Sequence, residues 1–249
     1  MRRLWLSLLL VPVMVAAVAL PISGAAWAAP AARAARSAPA ARTAPAAPAR
    51  ALQPGMKSSA VKALQRRLAA LKYYPGSIDG NFGTNTLEAV WAFYEVQGLA
   101  PHNYVDSAMK WRLAHPRALR KLVSHGGANR IEVSLSREVL VLYRNNQVQL
   151  ISHVSTGGHY HYCSPGGGCG YAVTPTGNYH TVVFMRGWVH VPLGEMFNPV
   201  FFIGTAFAIH GDTDVPLAPV SHGCVRVPMD IANFFHKLVK IPGEPVYIR

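Results

Sequence analysis

The sequence predicts a mainly β domain with one late helix, preceded by a small all-α domain of three helices. Between residues 53 and 115, apolar residues recur at helical spacing in three short segments. After Gly126-Gly127 the pattern changes to short runs in which apolar and polar residues alternate, as in β-strands. Helical spacing returns near the end of the chain, where one face carries Ile231, Phe234, Phe235 and Leu238.

The chain begins with a segment typical of export. Arg2 and Arg3 precede an apolar run over residues 4–20, and Ala26-Trp27-Ala28 offers a cleavage site. We interpret residues 1–28 as a signal peptide, with an uncleaved membrane anchor as the alternative because the apolar run is long. Either interpretation places the rest of the chain outside the cytoplasm, on the periplasmic side of the cell envelope or secreted.

Residues 29–52 are almost entirely Ala, Pro, Arg, Ser and Thr, a composition that cannot bury enough apolar surface to order itself. We expect a linker. The net charge is +13, yet residues 127–249 carry eight basic and seven acidic residues, so the basic excess lies outside the β domain. The linker arginines are spaced singly without aromatic residues. This pattern disfavours nucleic acid and favours weak attraction to an anionic envelope, or simple solvation of a tether.

Residues 53–115 are predicted to form the three-helix domain. Ser58 or Ser59 can cap its first helix, Gly98 can end the second, and Asp106 or Ser107 can cap the third. The apolar faces of the three helices contain Val61, Leu64, Leu68 and Leu71; Leu87, Val90, Trp91 and Tyr94; and Met109 and Leu113. Residues 116–128 are expected to form a basic junction that is helical over 117–125.

Short strands are predicted through residues 129–249. Ile131, Val133 and Leu135 alternate with polar residues, as in a strand buried on one face. Residues 139–143 and 147–153 flank a plausible hairpin turn at 144–146. Further strands are expected near 179–185, 188–191 and 201–210.

The chain has three cysteines, and two of them flank a short turn-rich loop. Cys163 and Cys169 enclose Ser164-Pro165-Gly166-Gly167-Gly168, and pairing is the natural expectation in an exported protein. The alternative is a metal site formed with His159 and His161. Pairing would leave Cys224 as the free thiol.

The reactive residue types concentrate in His210-Gly211 and in 221–226, Ser221-His222-Gly223-Cys224-Val225-Arg226. A thiol becomes a nucleophile as thiolate, which a nearby imidazole or positive charge favours. Gly211 and Gly223 allow close approach of the backbone, and the amides of Gly223 and Cys224 can point at an oxyanion. Arg226 offers a planar fork for a carboxylate. The residues alone leave three readings open: a cysteine nucleophile, a zinc site of His210, His222 and Cys224, and a structural role.

At these residues the chain resembles the L,D-transpeptidases (YkuD-like catalytic domain), cysteine enzymes that cross-link peptidoglycan stems. Besides the H-G…S-H-G-C-x-R motif, the resemblance covers about residues 131–248 through Val154-Ser155-Thr156-Gly157, Thr174-Pro175-Thr176-Gly177-Asn178-Tyr179 and Val246-Tyr247-Ile248. It implies a β-sandwich or barrel with Cys224 as nucleophile and His210 as its base, oriented by a backbone carbonyl. It also implies that His222 supports the pocket. Ser221 is expected to orient His222 or shape the turn, and Arg226 to hold a stem carboxylate or brace the loop.

The resemblance further implies a reaction. A tetrapeptide stem is cleaved before its terminal D-alanine, a thioacyl-enzyme forms, and the side-chain amine of another stem resolves it into a 3→3 cross-link. No metal or organic cofactor is required, and carbapenem-type inhibitors are expected to bind. Alternatives on the same site are an L,D-carboxypeptidase and a stem-to-protein transferase. A non-catalytic wall-binding protein and a zinc-dependent wall hydrolase are the remaining alternatives. The Gly- and aromatic-rich segments 158–172 and 192–199 are candidates for cleft walls or a lid.

The helical segment resembles the peptidoglycan-binding domain often attached to wall enzymes. The match rests on residues 61–68, 78–83 and 89–93 together with Thr86. It departs at Tyr94, where the family usually has Gln, and at Pro101-His102-Asn103-Tyr104-Val105-Asp106, which replaces an Asp-Gly entry to the third helix. The implied partners are peptidoglycan stems and glycan, bound through the loops, with a structural spacer as the alternative. We expect no nucleic acid, and membrane contact only through an uncleaved leader.

Overall fold

The computed structural model of the protein describes residues 51–249. The predicted leader and nearly all of the predicted linker lie outside these residues. The helices are α1 (Ser59–Ala70), α2 (Thr84–Val96), α3 (Ser107–Ala114) and α4 (Met229–Leu238). The strands are β1 (Arg130–Ser134), β2 (Val139–Arg144), β3 (Gln147–His153), β4 (His161–Cys163), β5 (Cys169–Tyr171), β6 (Gly177–His180), β7 (Trp188–Val191), β8 (Gly194–Ile203), β9 (Phe207–Asp212), β10 (Val225–Pro228) and β11 (Pro245–Ile248). This order confirms the predicted fold class. Among residues 51–249, no helix is both long and apolar enough to cross a membrane.

The strands of the β domain form two main sheets and a small hairpin. The five-stranded sheet has the order β3-β2-β1-β11-β6, the four-stranded sheet has the order β10-β9-β8-β7, and β4 pairs with β5. Apolar residues of both main sheets share one core, to which Ile131, Val246, Ile209 and Val225 contribute. Helix α4 closes this core with Phe235. The arrangement is a sandwich of two sheets.

Several strand predictions need adjustment. The hairpin turn is confirmed, because Asn145 and Asn146 take φ values of 49° and 60° between β2 and β3, as a two-residue turn requires. The strand expected over 201–210 is instead two antiparallel strands, β8 and β9, separated by a turn in which Gly204 has φ of 50°. The strand expected near 179–185 ends early, because the chain crosses there between sheets. The amide of Thr181 donates to Glu244, and that of Val182 donates to Phe201 of β8.

The start of the β domain also differs from the prediction. Strand β1 is buried on both faces, not one, because Glu132 forms a buried ion pair with Arg130, 2.7 Å between Oε1 and Nε. The junction covers the face of β1 that carries Glu132, because the amide of Leu122 donates to the Glu132 carboxylate at 2.7 Å. Residues 117–125 are not helical. The amide of Arg117 donates to the Gln97 side chain, so amides that a helix would use internally bind side chains instead.

The helical domain follows the predicted start and stop signals. The Ser58 side chain accepts from the amide of Val61, and Asp106 accepts from Met109, so these two residues are the N-caps of α1 and α3. Gly98, with φ of 67°, ends α2. The boundary with the linker moves, because Ala51 and Leu52 are buried. Leu52 also exchanges two backbone hydrogen bonds with Val105.

The residues that resemble a peptidoglycan-binding domain form a hydrogen-bond network of their own. The buried side-chain amide of Gln65 donates to Asp79, Asn81 and Thr86 at 2.9–3.1 Å, and its oxygen accepts from the amide of Gly80. These contacts satisfy the polar groups of the α1–α2 loop. They therefore explain the motif as a structural element of the domain.

The helices and the five-stranded sheet share a second core. Phe93 and Tyr73 pack edge to face, with ring centroids 5.4 Å apart, in the same cluster as Val139 and Ile151 of β2 and β3. The backbone is also continuous across this boundary, because the amide of Ile151 donates to the carbonyl of Lys72 at 2.8 Å. The described residues fall within one compact unit, and we expect them to unfold together.

Replacing Phe93, which is fully buried, tests this shared core. Phe93→Ala is expected to lower the free energy of unfolding by about 3–5 kcal/mol, because it leaves a cavity between the helices and the sheet. Urea unfolding, followed by far-UV circular dichroism and tryptophan fluorescence, should show one shifted transition. Ile78→Ala, in an exposed loop position, should cost under about 0.5 kcal/mol. A separate helical transition with an unchanged β transition would contradict the shared core.

Candidate active site

The candidate active site lies where β9 and β10 run side by side. The two strands are parallel, and their register pairs His210 with Arg226. Alternate side chains of a strand face opposite ways. One set enters the core between the sheets: Ile209, Val225 and Val227. The other set lines a cleft: His210, Asp212, Cys224 and Arg226. The register therefore brings the predicted imidazole and thiol to the same surface.

His210 is buried in β9 with its ring orientation fixed. Its Nδ1 lies 2.9 Å from the carbonyl oxygen of Gly211, the orienting carbonyl that the family resemblance implies. A carbonyl only accepts, so Nδ1 carries the hydrogen and Nε2 keeps its lone pair. Burial lowers the pKa of His210, which favours the neutral ring. Gly211 itself is required by packing, since a Cβ there would lie 2.7 Å from the Cβ of Ala232 in α4.

Cys224 is the free thiol of the described residues, partly exposed and placed directly before β10. Its Sγ lies 3.9 Å from the carbonyl oxygen of Ala206. Burial raises the pKa of the thiol, so the resting group is protonated at neutral pH. Within residues 51–249 the thiol donates to Ala206 rather than to His210. Catalytic hydrogen bonds often align only when substrate is bound.

Ser221 shapes the turn that carries the thiol. Its Oγ accepts from the amide of Gly223 at 3.0 Å and donates to the carbonyl of Cys224 at 2.6 Å. These contacts favour the turn role of Ser221 over the orientation of His222. They also correct the expected oxyanion site, because the amide of Gly223 is already bonded to Ser221. The amide of Cys224 has no acceptor among the described residues and is the remaining candidate donor.

Gly223 and Thr174 hold this turn against the neighbouring loop. Gly223 has φ of 139°, and a Cβ there would lie 2.6 Å from the Phe207 ring and 2.7 Å from the carbonyl oxygen of Val173. Thr174 donates its hydroxyl to the carbonyl of Gly223 at 2.8 Å and accepts from the amide of Gly157 at 2.9 Å. The sequence analysis assigned no role to Thr174 itself. Its place in one of the resembling segments was the available signal.

Arg226 lines the cleft while its guanidinium is anchored on one side. Its Nε lies 3.1 Å from Oδ2 of Asp212, and Nη1 donates to the carbonyl of Asp214 at 3.3 Å. Sequence reasoning missed Asp212. The signal was its spacing, since a residue two after His210 in a strand faces the same way. Arg226 therefore braces the loop and still presents part of its side chain to the cleft.

Aromatic residues and a disulfide form one wall of the cleft. The His222 ring packs edge to face against Tyr160 and Tyr162, with centroids 5.7 and 4.7 Å apart. Burial lowers the pKa of His222, and the nearby Arg226 lowers it further. Cys163 and Cys169 pair directly across the β4–β5 hairpin and form a disulfide. Both sulfurs are used, so the metal alternative with His159 and His161 loses its thiolate ligands.

The cleft has a volume of about 620 Å³, within the range that holds a small ligand. One wall is the β4–β5 hairpin, inside the predicted segment 158–172. The β7–β8 turn and the start of β8 also line the cleft, and residues 194–199 belong to a strand rather than to a loop. Within residues 51–249, no group of three or more His, Cys, Asp or Glu side chains is placed to hold a metal ion. The geometry thus favours the thiol–imidazole reading over the zinc site of His210, His222 and Cys224.

The pKa shifts predict how Cys224 reacts in the resting protein. Because burial raises its pKa, alkylation by iodoacetamide should accelerate with pH around a midpoint above the ordinary cysteine pKa of about 8.5. The rate is measured by intact mass under non-reducing conditions, and the denatured protein supplies the reference midpoint. A folded-state midpoint below the denatured one would indicate a resting thiolate–imidazolium pair and contradict a neutral pair of Cys224 and His210.

Comparison with known proteins agrees with this geometry. The YkuD family model, described as the L,D-transpeptidase catalytic domain, matches residues 128–248. A family model described as a peptidoglycan binding domain matches residues 57–110. A comparison with curated proteins gave no match.

Two crystal structures of L,D-transpeptidases cover most of the chain. One, from Stackebrandtia nassauensis, is 19% identical with a TM-score of 0.47, over 82% of this chain and 97% of that chain. The other, from Xylanimonas cellulosilytica, is 30% identical with a TM-score of 0.74, over 82% of this chain and 100% of that chain. With this identity over the whole crystallised Xylanimonas chain, residues 123–326 of that protein, and the match to the catalytic family model, the protein belongs to the L,D-transpeptidase family.

Proposed function

We propose that the chain is a cell-wall cysteine transpeptidase that forms 3→3 peptidoglycan cross-links through a thioacyl-enzyme on tetrapeptide stems. The observation that carries the proposal is the shared cleft of a free thiol, Cys224, and an oriented imidazole, His210. Membership of the L,D-transpeptidase family supports the coarser transpeptidase assignment.

In the proposed acylation, the thiol of Cys224 gives its proton to Nε2 of His210, and the sulfur attacks the amide carbon ahead of the terminal D-alanine. A carbon–sulfur bond forms, and the carbon–nitrogen bond to D-alanine breaks. The leaving amine takes the proton back from His210. The products are a thioester on Cys224 and free D-alanine, and no group outside the enzyme and the stem takes part.

In the proposed transfer, a side-chain amine of a second stem attacks the thioester. His210 takes a proton from this amine and returns it to the departing sulfur, which restores the starting enzyme. The backbone amide of Cys224 is the proposed donor to the oxyanion in both steps. Arg226 is the proposed contact for a stem carboxylate. Its pairing with Asp212 fixes the guanidinium, so less side-chain freedom is lost when the stem binds.

The proposed place of action is outside the cytoplasm. The Cys163–Cys169 disulfide is a cross-link that persists in oxidising compartments. This agrees with the export signal predicted for residues 1–28, which is itself still a prediction.

Reaction with a carbapenem tests the nucleophile. Its strained β-lactam carbonyl is open to thiol attack, so intact mass should show one covalent adduct per chain. Cys224→Ala should abolish the adduct, and His210→Ala should slow its formation at least about 100-fold by removing the general base. Circular dichroism of both variants controls for folding. A folded wild-type protein that forms no adduct would remove Cys224 from its proposed role.

A defined tetrapeptide stem separates transfer from hydrolysis. With an added amine acceptor, mass spectrometry should show D-alanine release and a product containing both donor and acceptor. Without acceptor, release should be slow, because water attacks a thioester less readily than an amine does. Equal tripeptide formation with and without acceptor would instead identify an L,D-carboxypeptidase.

We further propose that the helical domain holds the chain on peptidoglycan. Its candidate binding surface is a groove of about 400 Å³ between α1 and α3, not the loops that the sequence suggested. The groove floor is apolar, with Leu64, Val105 and Leu113, and its sides carry Arg67 and Lys110. This combination suits a stem peptide, whose alanine methyls are apolar and whose carboxylates are anionic.

Charge reversal in the groove tests this second site. In a Cys224→Ala background, Lys110→Glu should weaken co-sedimentation with purified sacculi about tenfold, as the loss of one favourable charge contact predicts. Lys57→Glu makes the same charge change at an exposed position outside the groove and should bind like its parent. If both variants weaken binding to sacculi equally, the interaction is general electrostatic attraction and the groove is not the binding site.

A further inference from the structure

His153, at the end of β3, joins the helical domain to the segment that leads into residues 221–224, the nucleophile turn that carries Cys224. Its ring is fully buried. Nδ1 lies 2.9 and 3.0 Å from the two carboxylate oxygens of Glu95, which belongs to α2. Nε2 lies 3.1 Å from the carbonyl oxygen of Pro216. Both ring nitrogens therefore face oxygen acceptors that belong to different parts of the molecule.

This arrangement requires the Glu95–His153 pair to hold a proton. The carbonyl of Pro216 can only accept, so Nε2 carries a hydrogen. A second proton must lie between Nδ1 and the carboxylate, because otherwise a nitrogen lone pair would face a buried negative charge. Burial raises the pKa of Glu95 to about 7. Burial opposes the charged form of His153, but the Glu95 carboxylate, the Pro216 carbonyl and Glu88 together outweigh it and raise the pKa of His153.

The surrounding charges favour the same protonated state. Glu88, on α2, and Glu138, which precedes β2, are the other titratable groups that act on this pair. Both carboxyls are buried, and burial raises the pKa of each to about 7. The Trp91 ring and the imidazole pack edge to face, 5.4 Å between centroids. No basic side chain competes with His153 among the described groups that shift its pKa.

The contact of His153 with Pro216 reaches the active site through a short segment. Residues 213–220 connect β9, which carries His210, to the turn that carries Cys224. Ser155, two residues after His153, also binds this segment. It donates to the carbonyl of Ala218 at 2.9 Å and accepts from the amide of Val220 at 3.1 Å. The end of β3 thus holds the connection between the imidazole and the thiol at two points.

We propose that Glu95 and His153 are positioning residues for the nucleophile turn, so that the helical domain fixes the segment between His210 and Cys224. The inference rests on the proposed function for the role of Cys224 as nucleophile. The contact itself rests only on the geometry of residues 95, 153 and 216. A plain domain-to-domain contact is the competing explanation, and pH separates the two.

The direction of the pH effect follows from the raised pKa values. In the folded protein the Glu95–His153 pair holds a proton that the unfolded chain releases at lower pH. The stability that the pair contributes is therefore complete at low pH, and it is lost as the pH rises through the pKa of the folded pair. In Glu95→Gln the amide can donate to Nδ1 while Nε2 still donates to Pro216. The contact then needs no extra proton. Glu95→Ala leaves Nδ1 without a partner at every pH.

The experiment compares the full protein with Glu95→Ala and Glu95→Gln from about pH 6 to about pH 9. Hydrogen exchange of residues 213–224, corrected for intrinsic rates, and iodoacetamide alkylation of Cys224 are measured in parallel. Wild type should lose protection as pH rises, whereas Glu95→Gln should keep it. In Glu95→Ala the amides of residues 213–224 should exchange about tenfold faster than in wild type already at the lowest pH, because His153 has lost its buried partner.

Asn85→Ala is the matched control, because it removes another contact between α2 and the β domain, with Asp230. It should leave residues 213–224 protected and the alkylation rate unchanged. Two results would overturn the proposal. One is that residues 213–224 lose no more protection in Glu95→Ala than in Asn85→Ala. The other is that Glu95→Gln and wild type show the same dependence of protection on pH. Neither readout uses a substrate, so failure of the proposed transpeptidase activity is recorded separately.

Discussion

Two strands that run in the same direction, β9 and β10, set the distance between His210 and the turn that carries Cys224. A slip of one residue in this pairing would turn the functional side chains into the core and Ile209 into the cleft, so burial of the apolar set fixes the register. Parallel neighbours usually need a long crossover with a helix. Here residues 213–224 make the crossover without one. The shape of the turn therefore depends on contacts from outside it. Thr174 and Ser155 supply side-chain hydrogen bonds, and the backbone of Ser221 bonds to Thr156 and Gly158.

The electrostatics of the resting site favour neutral groups. Burial lowers the pKa of His210 and raises that of Cys224, so neither the imidazolium nor the thiolate is stable before substrate arrives. The positive charge beside the thiol belongs to Arg226, and Asp212 compensates part of it. The charges around the thiol would change only in the complex with substrate, where a stem carboxylate lies at Arg226 and the substrate carbonyl lies near the amide of Cys224. In this reading, ionisation of the thiol accompanies attack, which limits side reactions of a partly exposed cysteine.

The predictable part of the molecule is the part that local spacing controls. Helix caps such as Ser58 and the hairpin turn at Asn145 follow from short-range rules. The motif around Cys224 predicts which residues line the cleft, and their catalytic roles stay a prediction. The errors come from contacts between distant segments. Glu132 reads as a solvent-facing strand residue but is buried against Arg130 and the junction. The amide of Gly223 was expected to face an oxyanion, yet it bonds to Ser221, a geometry that no spacing reveals.

The relation between the two domains follows from the same long-range contacts. The residues that resemble a peptidoglycan-binding domain are occupied in the Gln65 network, and the apolar faces of the helices continue into β2 and β3. A domain tethered by a flexible linker could bind the wall without affecting the cleft. This one shares a core with the sheet and places Glu95 against His153, so its position relative to residues 213–220 is fixed by packing. Removing the helices would expose Val139 and Ile151 and would leave Nδ1 of His153 without its Glu95 partner. The helical domain is therefore part of the structure that presents Cys224, in addition to any contact it makes with peptidoglycan.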